Sequence, residues 1–219
     1  MKYLLAEKPF YSLQWEAKNN GVPMIFIRFY WCNKDCWFCD SKYSYKPEEA
    51  DTVLYTHEEL IEKIKSFWCK TILRTWGEPS LFQDQIKLLM NELWDEYTHE
   101  LETNGSKKLE EWLYFDQINI SPKLKSSWNK SYELKILDWI KSKCDNYSIK
   151  FVCSDLTSLK ETDECIKKYE FEPGSIYIMP EWRDVKSQVN QFVIDYCMKK
   201  WYSYCLRSHL ILFWDGKGK

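Results

Sequence analysis

The sequence predicts an α/β fold of parallel βαβ units arranged as a parallel barrel or partial barrel. Two observations carry this. Short β-branched and aromatic runs alternate with longer stretches of helical periodicity from about residue 24 to the end of the chain. The unusual polar clusters all fall directly after the strand-like runs, where the loops of such a fold converge on one ligand-binding face.

The strand-like runs are 24–29 (MIFIRF), 70–74 (KTILR), 98–102 (THELE), 115–120 (FDQINI), 147–152 (YSIKFV), 175–179 (SIYIM) and 209–213 (HLILF). Between them, Thr56 and Glu59 form a capping box, and Leu60, Ile61, Ile64 and Phe67 follow at helical spacing, which predicts a helix over 57–68. Further helices are predicted over 82–94, 131–143, 157–169 and 184–204, and the short segment 106–114 is left open. Residues 1–23 read as an N-terminal extension and 42–53 as an acidic, Pro-containing loop. The sequence holds no internal repeat or linker, so the whole of 1–219 reads as one domain.

Composition narrows the function classes. The 219 residues include only six Gly, where the usual ~7% would give roughly fifteen, beside twelve Trp and 17% aromatics. Disordered and collagen-like classes are excluded. Thirty-one Lys plus Arg against 33 Asp plus Glu leave a net charge of −2, so no strong field favours nucleic acid or an anionic membrane. No apolar run approaches the ~20 residues of a membrane span, and residues 1–10 have no signal-peptide core. A soluble, intracellular, cytoplasmic protein is expected.

Three of the nine cysteines, Cys32, Cys36 and Cys39, stand together as CNKDCWFC. Three thiolates on one short loop suit a 4Fe-4S cluster whose fourth iron stays open. A zinc site is the competing reading, although no second ligand pair is visible, and three incidentally buried cysteines are another. Cys69, Cys144, Cys153, Cys165, Cys197 and Cys205 are scattered over predicted elements and read as buried apolar residues. Gly77, Glu78 and Pro79 in TWGEP offer a free turn, a carboxylate and a fixed φ, able to present acceptors to a cationic amino group or simply to turn a strand into a helix. Thr103, Asn104 and Gly105, then Ser121 and Lys123, place hydroxyl, amide and ammonium groups suited to ribose hydroxyls and a carboxylate, or to capping loops. His57 reads as a solvated first-turn residue and His99 as a strand residue.

The cysteine spacing resembles that of the radical S-adenosylmethionine superfamily. CDS at Cys39–Ser41 after the strand IFIRF, followed in order by GEPSLFQ, ETNG, SPK, KFV, MPE and a C-terminal His before an apolar run, resembles the 7-carboxy-7-deazaguanine synthases over about residues 10–215. The resemblance implies an incomplete parallel (β/α) barrel. It also implies Cys32, Cys36 and Cys39 as 4Fe-4S ligands and Ser41 as a Mg²⁺ ligand. Gly77, Glu78, Pro79, Thr103, Asn104, Ser121, Lys123, Met179 and Pro180 would bind S-adenosylmethionine, with Met179 and Pro180 flanking the adenine. Gln14, Glu16, Arg28, Thr75 and His209 would contact a pterin, Arg28 as a planar fork for its carboxylate. His209 by itself, on an apolar strand, would be a satisfied core histidine.

The implied activity is that of a lyase. A 5′-deoxyadenosyl radical takes hydrogen from C6 of 6-carboxy-5,6,7,8-tetrahydropterin, and the ring contracts with loss of ammonia to 7-carboxy-7-deazaguanine, for queuosine or archaeosine synthesis. Flavodoxin or ferredoxin as electron donor and a homodimer are implied with it. The alternatives are a glycyl-radical-enzyme activase, sharing the cysteine spacing but acting on a protein, and a non-enzymatic iron–sulfur or zinc protein.

Where the family reads Gln-Gly-Glu-Gly, Gly-Cys-Asn and Gly-Gly-Glu-Pro, this chain reads QWEA, WCN and WGEP. Trp15, Trp31, Trp76 and Ala17 therefore stand at glycine positions. Trp tolerates positive φ poorly, so either these loops take ordinary φ with indoles walling the pocket, or the pocket takes a different shape.

Overall fold

A computed structural model describes residues 1–46, 51–129, 135–143, 145–181 and 184–213. In chain order the elements are β1 (Lys2–Leu5), β2 (Phe10–Leu13), β3 (Pro23–Arg28), β4 (Val53–Thr56), α1 (His57–Lys65), β5 (Thr71–Thr75), α2 (Gln83–Leu93), β6 (Thr98–Thr103), β7 (Gln117–Ile120), α3 (Lys135–Lys143), β8 (Tyr147–Cys153), α4 (Leu156–Tyr169), β9 (Ile176–Pro180), α5 (Gln191–Lys200), β10 (Ser203–Tyr204) and α6 (Ser208–Leu212).

The main sheet runs β10-β9-β8-β7-β6-β5-β3-β2, every neighbouring pair parallel except β2 with β3. β1 and β4 form a separate antiparallel pair. The strand order is linear, but its two ends approach each other: Ser208 donates from backbone and hydroxyl to the Trp15 carbonyl, at 3.2 and 2.9 Å, and the Ala17 amide lies 3.1 Å from Cys205 Sγ. Loops beyond β2 and β10 thus close the seam that strand pairing leaves open, giving an incomplete α/β barrel. No described helix is long and apolar enough to cross a membrane.

Strand periodicity sorts the side chains into two layers. Ile25, Ile27, Ile72, Leu101, Ile118, Ile120, Ile149, Phe151, Ile176 and Ile178 belong to the large core that also holds the helical Leu60, Ile64, Ile86, Leu89, Ile136, Ile140 and Leu159. The alternate positions face the barrel interior. Those on β3 and β5, Met24, Phe26 and Leu73, pack with Phe10 and Trp15 as a smaller apolar cluster. Those on β6, β7 and β8 are polar: Glu100, Gln117, Asn119, Ser148 and Lys150 are buried and Glu102 is half-buried.

The capping box at Thr56 and Glu59 is formed as expected. Its helix makes a second use of His57, which meets Tyr3 Oη through Nδ1 and Glu92 through Nε2, each at 2.8 Å, and so joins α1 to β1 and α2. Residues 106–114 form no helix. Residues 131–134, within the predicted helix 131–143, lie outside the described residues, as do 47–50 of the acidic loop.

Two expectations near the C-terminus are corrected. The helix expected over 184–204 is only Gln191–Lys200: Asn190 caps its start by accepting from the Val193 amide at 3.3 Å, and Trp201 ends it in a left-handed conformation. The strand expected over 209–213 is helix α6. Ser203 and Tyr204 take the edge of β9 in place of HLILF, and the helix satisfies the backbone of HLILF locally. His209 therefore stands in a helical first turn.

Candidate active site

The C-terminal ends of β3, β5, β6, β7, β8 and β9 surround a cavity of about 800 Å³, part of it open to solvent. Cys32, Cys36, Cys39 and Ser41 line it from the loop after β3, Thr75, Gly77 and Glu78 from β5 and its loop, and Thr103 and Asn104 from β6. Ser121 and Lys123 follow β7, Met179 lies on β9, and Glu16 reaches in from the N-terminal extension. Thirteen of the eighteen residues singled out in the sequence share this lining; Pro79, Pro180, Gln14, Arg28 and His209 stand behind it.

The three thiols face the cavity without converging on one point, and among the described residues no three Cys, His, Asp or Glu side chains gather closely enough for a single metal ion. In a multi-iron cluster each thiolate binds a separate iron, so the three need not meet at one point. Burial pushes the Cys32 thiol up to about 12, with Glu78 adding to the effect, and burial and Asp40 raise Cys39. Bare, these thiols hold their protons; a cationic iron centre supplies the charge that makes them thiolates. Amide donors stand ready for the sulfurs, Asn129 Nδ2 at 3.1 Å from Cys36 and Asn104 Nδ2 at 3.9 Å from Cys32. The loop fits a cluster. Of the other cysteines, Cys153, Cys165, Cys197 and Cys205 are buried and Cys69 is half-buried, while Cys144 lies outside the described residues.

Glu78, 1% exposed, is the best-anchored carboxylate of the site. Thr103 Oγ1 and the Ser80 amide donate to Oε1 at 2.6 and 3.0 Å, and the Asn104 amide to Oε2 at 2.6 Å. Its own amide donates to the Trp31 carbonyl at 2.8 Å, tying this turn to the cysteine loop. Pro79 opens the short 3₁₀ turn that Glu78 caps. Gly77 has φ +59, and a Cβ there would collide with the carbonyl oxygens of Phe29 and Trp31. Lys123 Nζ donates to Ser121 Oγ at 2.7 Å, and Asn104 Nδ2 to Asn33 at 2.9 Å.

Deeper in the cavity lies a buried charge cluster. Lys150 is ion-paired to Glu16; Arg207 Nε lies 3.8 Å from Glu16 and 3.2 Å from Asp40. Burial raises the Glu16 and Asp40 carboxyls most, but Lys150 and Arg207 together at Glu16, and Arg207, His209 and Lys150 together at Asp40, hold both below their ordinary values. Glu102 accepts from Thr75 Oγ1 and from Gln14 Nε2, yet burial keeps its carboxyl above the usual range. Gln14 accepts the Trp15 and Glu16 amides on Oε1, so its role here is to orient Glu16 and Glu102. His209 packs tilted against Trp15, with ring centroids 4.7 Å apart, and bears electrostatically on Asp40.

Arg28 is engaged elsewhere. Its guanidinium sits over the Trp76 ring, 3.0 Å from the centroid, and bonds Glu7 and Tyr43. The glycine-substituted turns keep glycine-like backbone: φ is +59 at Ala17, +102 at Trp31 and +44 at Trp76, whereas Trp15 is not among the positive-φ residues. Of the two alternatives the sequence left open, ordinary φ does not hold at three of the four positions. Trp76 lines the cavity, Trp15 is buried behind it, and Trp31 is 53% exposed.

Glu102, Asn119, Lys150, Asp40 and Arg207 line the cavity without having been singled out as binding residues. The first three carried a signal: each is a polar residue at the inward register of a strand whose alternate positions are apolar. Arg207 follows a two-residue strand and carried none.

The radical S-adenosylmethionine superfamily model matches residues 26–150, more than half the chain. The 7-carboxy-7-deazaguanine synthase of Clostridium acetobutylicum is 35% identical, covering 82% of each chain. This chain belongs to the radical S-adenosylmethionine superfamily and, within it, to the 7-carboxy-7-deazaguanine synthases. The synthase of Rhodopirellula baltica is 26% identical over 98% of this chain and 88% of its own. Among solved structures, QueE from Escherichia coli shares the fold, with a TM-score of 0.72 at 20% identity, covering 94% of this chain and 93% of that one. Members of the superfamily use a 4Fe-4S cluster and S-adenosylmethionine.

Proposed function

We infer that the chain is a 7-carboxy-7-deazaguanine synthase, a lyase that contracts the ring of 6-carboxy-5,6,7,8-tetrahydropterin with loss of ammonia and so feeds 7-deazapurine (queuosine or archaeosine) synthesis. The observation that carries this reading is one cavity shared by the three-cysteine loop, the anchored Glu78 and a buried charge cluster. When bound, the cluster and S-adenosylmethionine supply one-electron cleavage and a hydrogen-abstracting radical.

The residues divide the remaining work. Cys32, Cys36 and Cys39 hold the cluster. Glu78, fixed by Thr103 and two backbone amides, receives the methionine ammonium, with Gly77 allowing the close backbone approach and Pro79 fixing the turn. Asn104, Ser121 and Lys123 would meet ribose hydroxyls and the carboxylate, and Met179 would bound the adenine, with Pro180 behind it. Glu16 and Glu102, oriented by Gln14 and Thr75, accept from the pterin N–H groups. Arg28 and His209 stand behind these, shaping the pocket through Trp76 and Trp15. Ser41, 6% exposed beside Asp40, offers a hydroxyl to a Mg²⁺ that would complete its shell with substrate oxygens and water. Residues 1–23 serve as an extension of a single domain, bringing Glu16 to the site. A flavodoxin or ferredoxin donor, a homodimer and a cytoplasmic location accord with this reading.

The test is anaerobic reconstitution followed by incubation with S-adenosylmethionine, a reductant and carboxytetrahydropterin. The expected result is 7-carboxy-7-deazaguanine. Absence of cofactor cleavage overturns the enzymatic reading; cleavage without deazapurine overturns the substrate and leaves a protein-directed activase. Replacing Cys32, Cys36 or Cys39 with Ala is expected to abolish turnover and the reducible cluster absorbance.

A further inference from the structure

Asn119 stands on β7 with its side chain in the cavity wall and 2% exposed. Its Nδ2 has no hydrogen-bond partner among the described residues. The orientation of the amide follows from obligatory roles. The Ile118 carbonyl can only accept, and Gln117 Nε2 lies 3.1 Å from it; the same Nε2 lies 3.1 Å from Asn119, so the Asn119 atom facing it is Oδ1. Ser148 donates to that same oxygen. Two donors therefore fix Oδ1 and leave Nδ2 as an unmet donor in the wall, an arrangement a fold does not keep without cost.

Directly across the strand register from Asn119 stands Glu102, which also lines the cavity. Donor and acceptor thus stand side by side. The 2-amino-4-oxopyrimidine edge of a pterin presents the complement, a carbonyl oxygen beside N–H groups. Carboxylate recognition falls more naturally to the cations in the same lining, Lys150, Arg207, Lys34 and Lys123, which leaves a neutral amide for a neutral acceptor. Resting on the reading of the preceding section, we propose that Asn119 Nδ2 donates to the ring carbonyl of the substrate and makes the site select a 4-oxo over a 4-amino pteridine. An amino group at that place would set donor against donor and leave two groups unpaired, the situation in which a hydrogen-bonding site discriminates most strongly.

The experiment measures binding of pterin-6-carboxylate and 2,4-diaminopteridine-6-carboxylate by fluorescence, with anaerobic, cluster-loaded protein and S-adenosylmethionine at pH 8. The wild-type chain is expected to bind the 4-oxo compound at least tenfold more tightly. Asn119→Asp keeps oxygens for Gln117 and Ser148 but turns the donor into an acceptor, and is expected to reduce that preference to threefold or less. Ser148→Ala, which frees one side of the amide, is expected to weaken it partially and decides the matter if Asn119→Asp does not fold. No preference in the wild type, or an unchanged ratio in the folded variant, overturns the proposal. Failure of the wild type to bind either pteridine overturns the substrate reading itself, and the proposal with it.

Discussion

Between β2, β3 and β5 the barrel interior is aromatic: Phe10, Trp15 and Phe26 stack in series, and Trp76 continues them to the cavity wall. Between β6, β7 and β8 it is polar, with Glu100, Glu102, Gln117, Asn119, Ser148 and Lys150 linked to one another or to the N-terminal extension. The polar half gains definition from hydrogen bonds whose geometry admits few alternatives, so it can hold donors and acceptors in fixed places. The aromatic half is held by shape and by the Arg28–Trp76 contact, and it tolerates left-handed backbone at Ala17 and Trp76. Recognition atoms belong to one half, and walls that exclude water to the other.

Four changes test that division. Lys150→Met removes the cation from between Glu16 and Glu102 and leaves two carboxylates buried, so it is expected to destabilise the protein by about 3 kcal/mol or more in chemical denaturation and to remove turnover. A loss under 1 kcal/mol would show that the polar half is not held by its charges.

Glu100→Gln comes next. Burial raises the Glu100 carboxyl from 4.5 to about 7, with Glu102 adding to the effect, and Asn19 is its only donor among the described residues. A folded pKa above the unfolded one means the contribution is full below about 4.5 and is lost as pH rises through about 7. Wild-type stability is expected to fall across that window relative to Glu100→Gln, which should be more stable at pH 8 by up to about 3 kcal/mol. Parallel pH–melting curves for the two proteins would refute it.

Trp76→Gly relieves a left-handed tryptophan, worth about 1–2 kcal/mol, and forfeits a cation–π contact of similar size. Stability is expected to change by less than about 1 kcal/mol, while the substrate KM falls as Arg28 regains the cavity. An unchanged KM would place Arg28 outside recognition. Ser41→Ala, the smallest change, is expected to leave melting and cluster absorbance untouched and to raise the Mg²⁺ concentration needed for half-maximal turnover.

The motifs were legible because each sits at a strand end, where local chemistry and position in the fold coincide. CNKDCWFC, GEP, TNG and SPK met in one cavity as their order along alternating strands and helices required. Glu102, Asn119 and Lys150 were half-legible: alternation in HELET, QINI and SIKFV puts them opposite Leu101, Ile118, Ile149 and Phe151, and only the assumption of an apolar interior hid them. Arg28 shows the limit from the other side. Its sequence position and chemistry suit a carboxylate, but Trp76, Glu7 and Tyr43 take up its guanidinium.

The C-terminal run HLILF separates the two kinds of knowledge most sharply. Its residues favour a strand, but pairing beside β9 went to Ser203 and Tyr204, and the run that follows closes as a helix. By itself the sequence determined the βαβ order, the helix-facing core and the cofactor motifs, because periodicity and short spacings act within one element or one loop. Tertiary structure decided the seam closure at Trp15 and Ser208, the placement of Arg207 against Asp40 and Glu16, and the left-handed backbone at Trp31 and Trp76. Those depend on groups far apart in the chain, whose meeting is set by packing and charge balance once the barrel has formed.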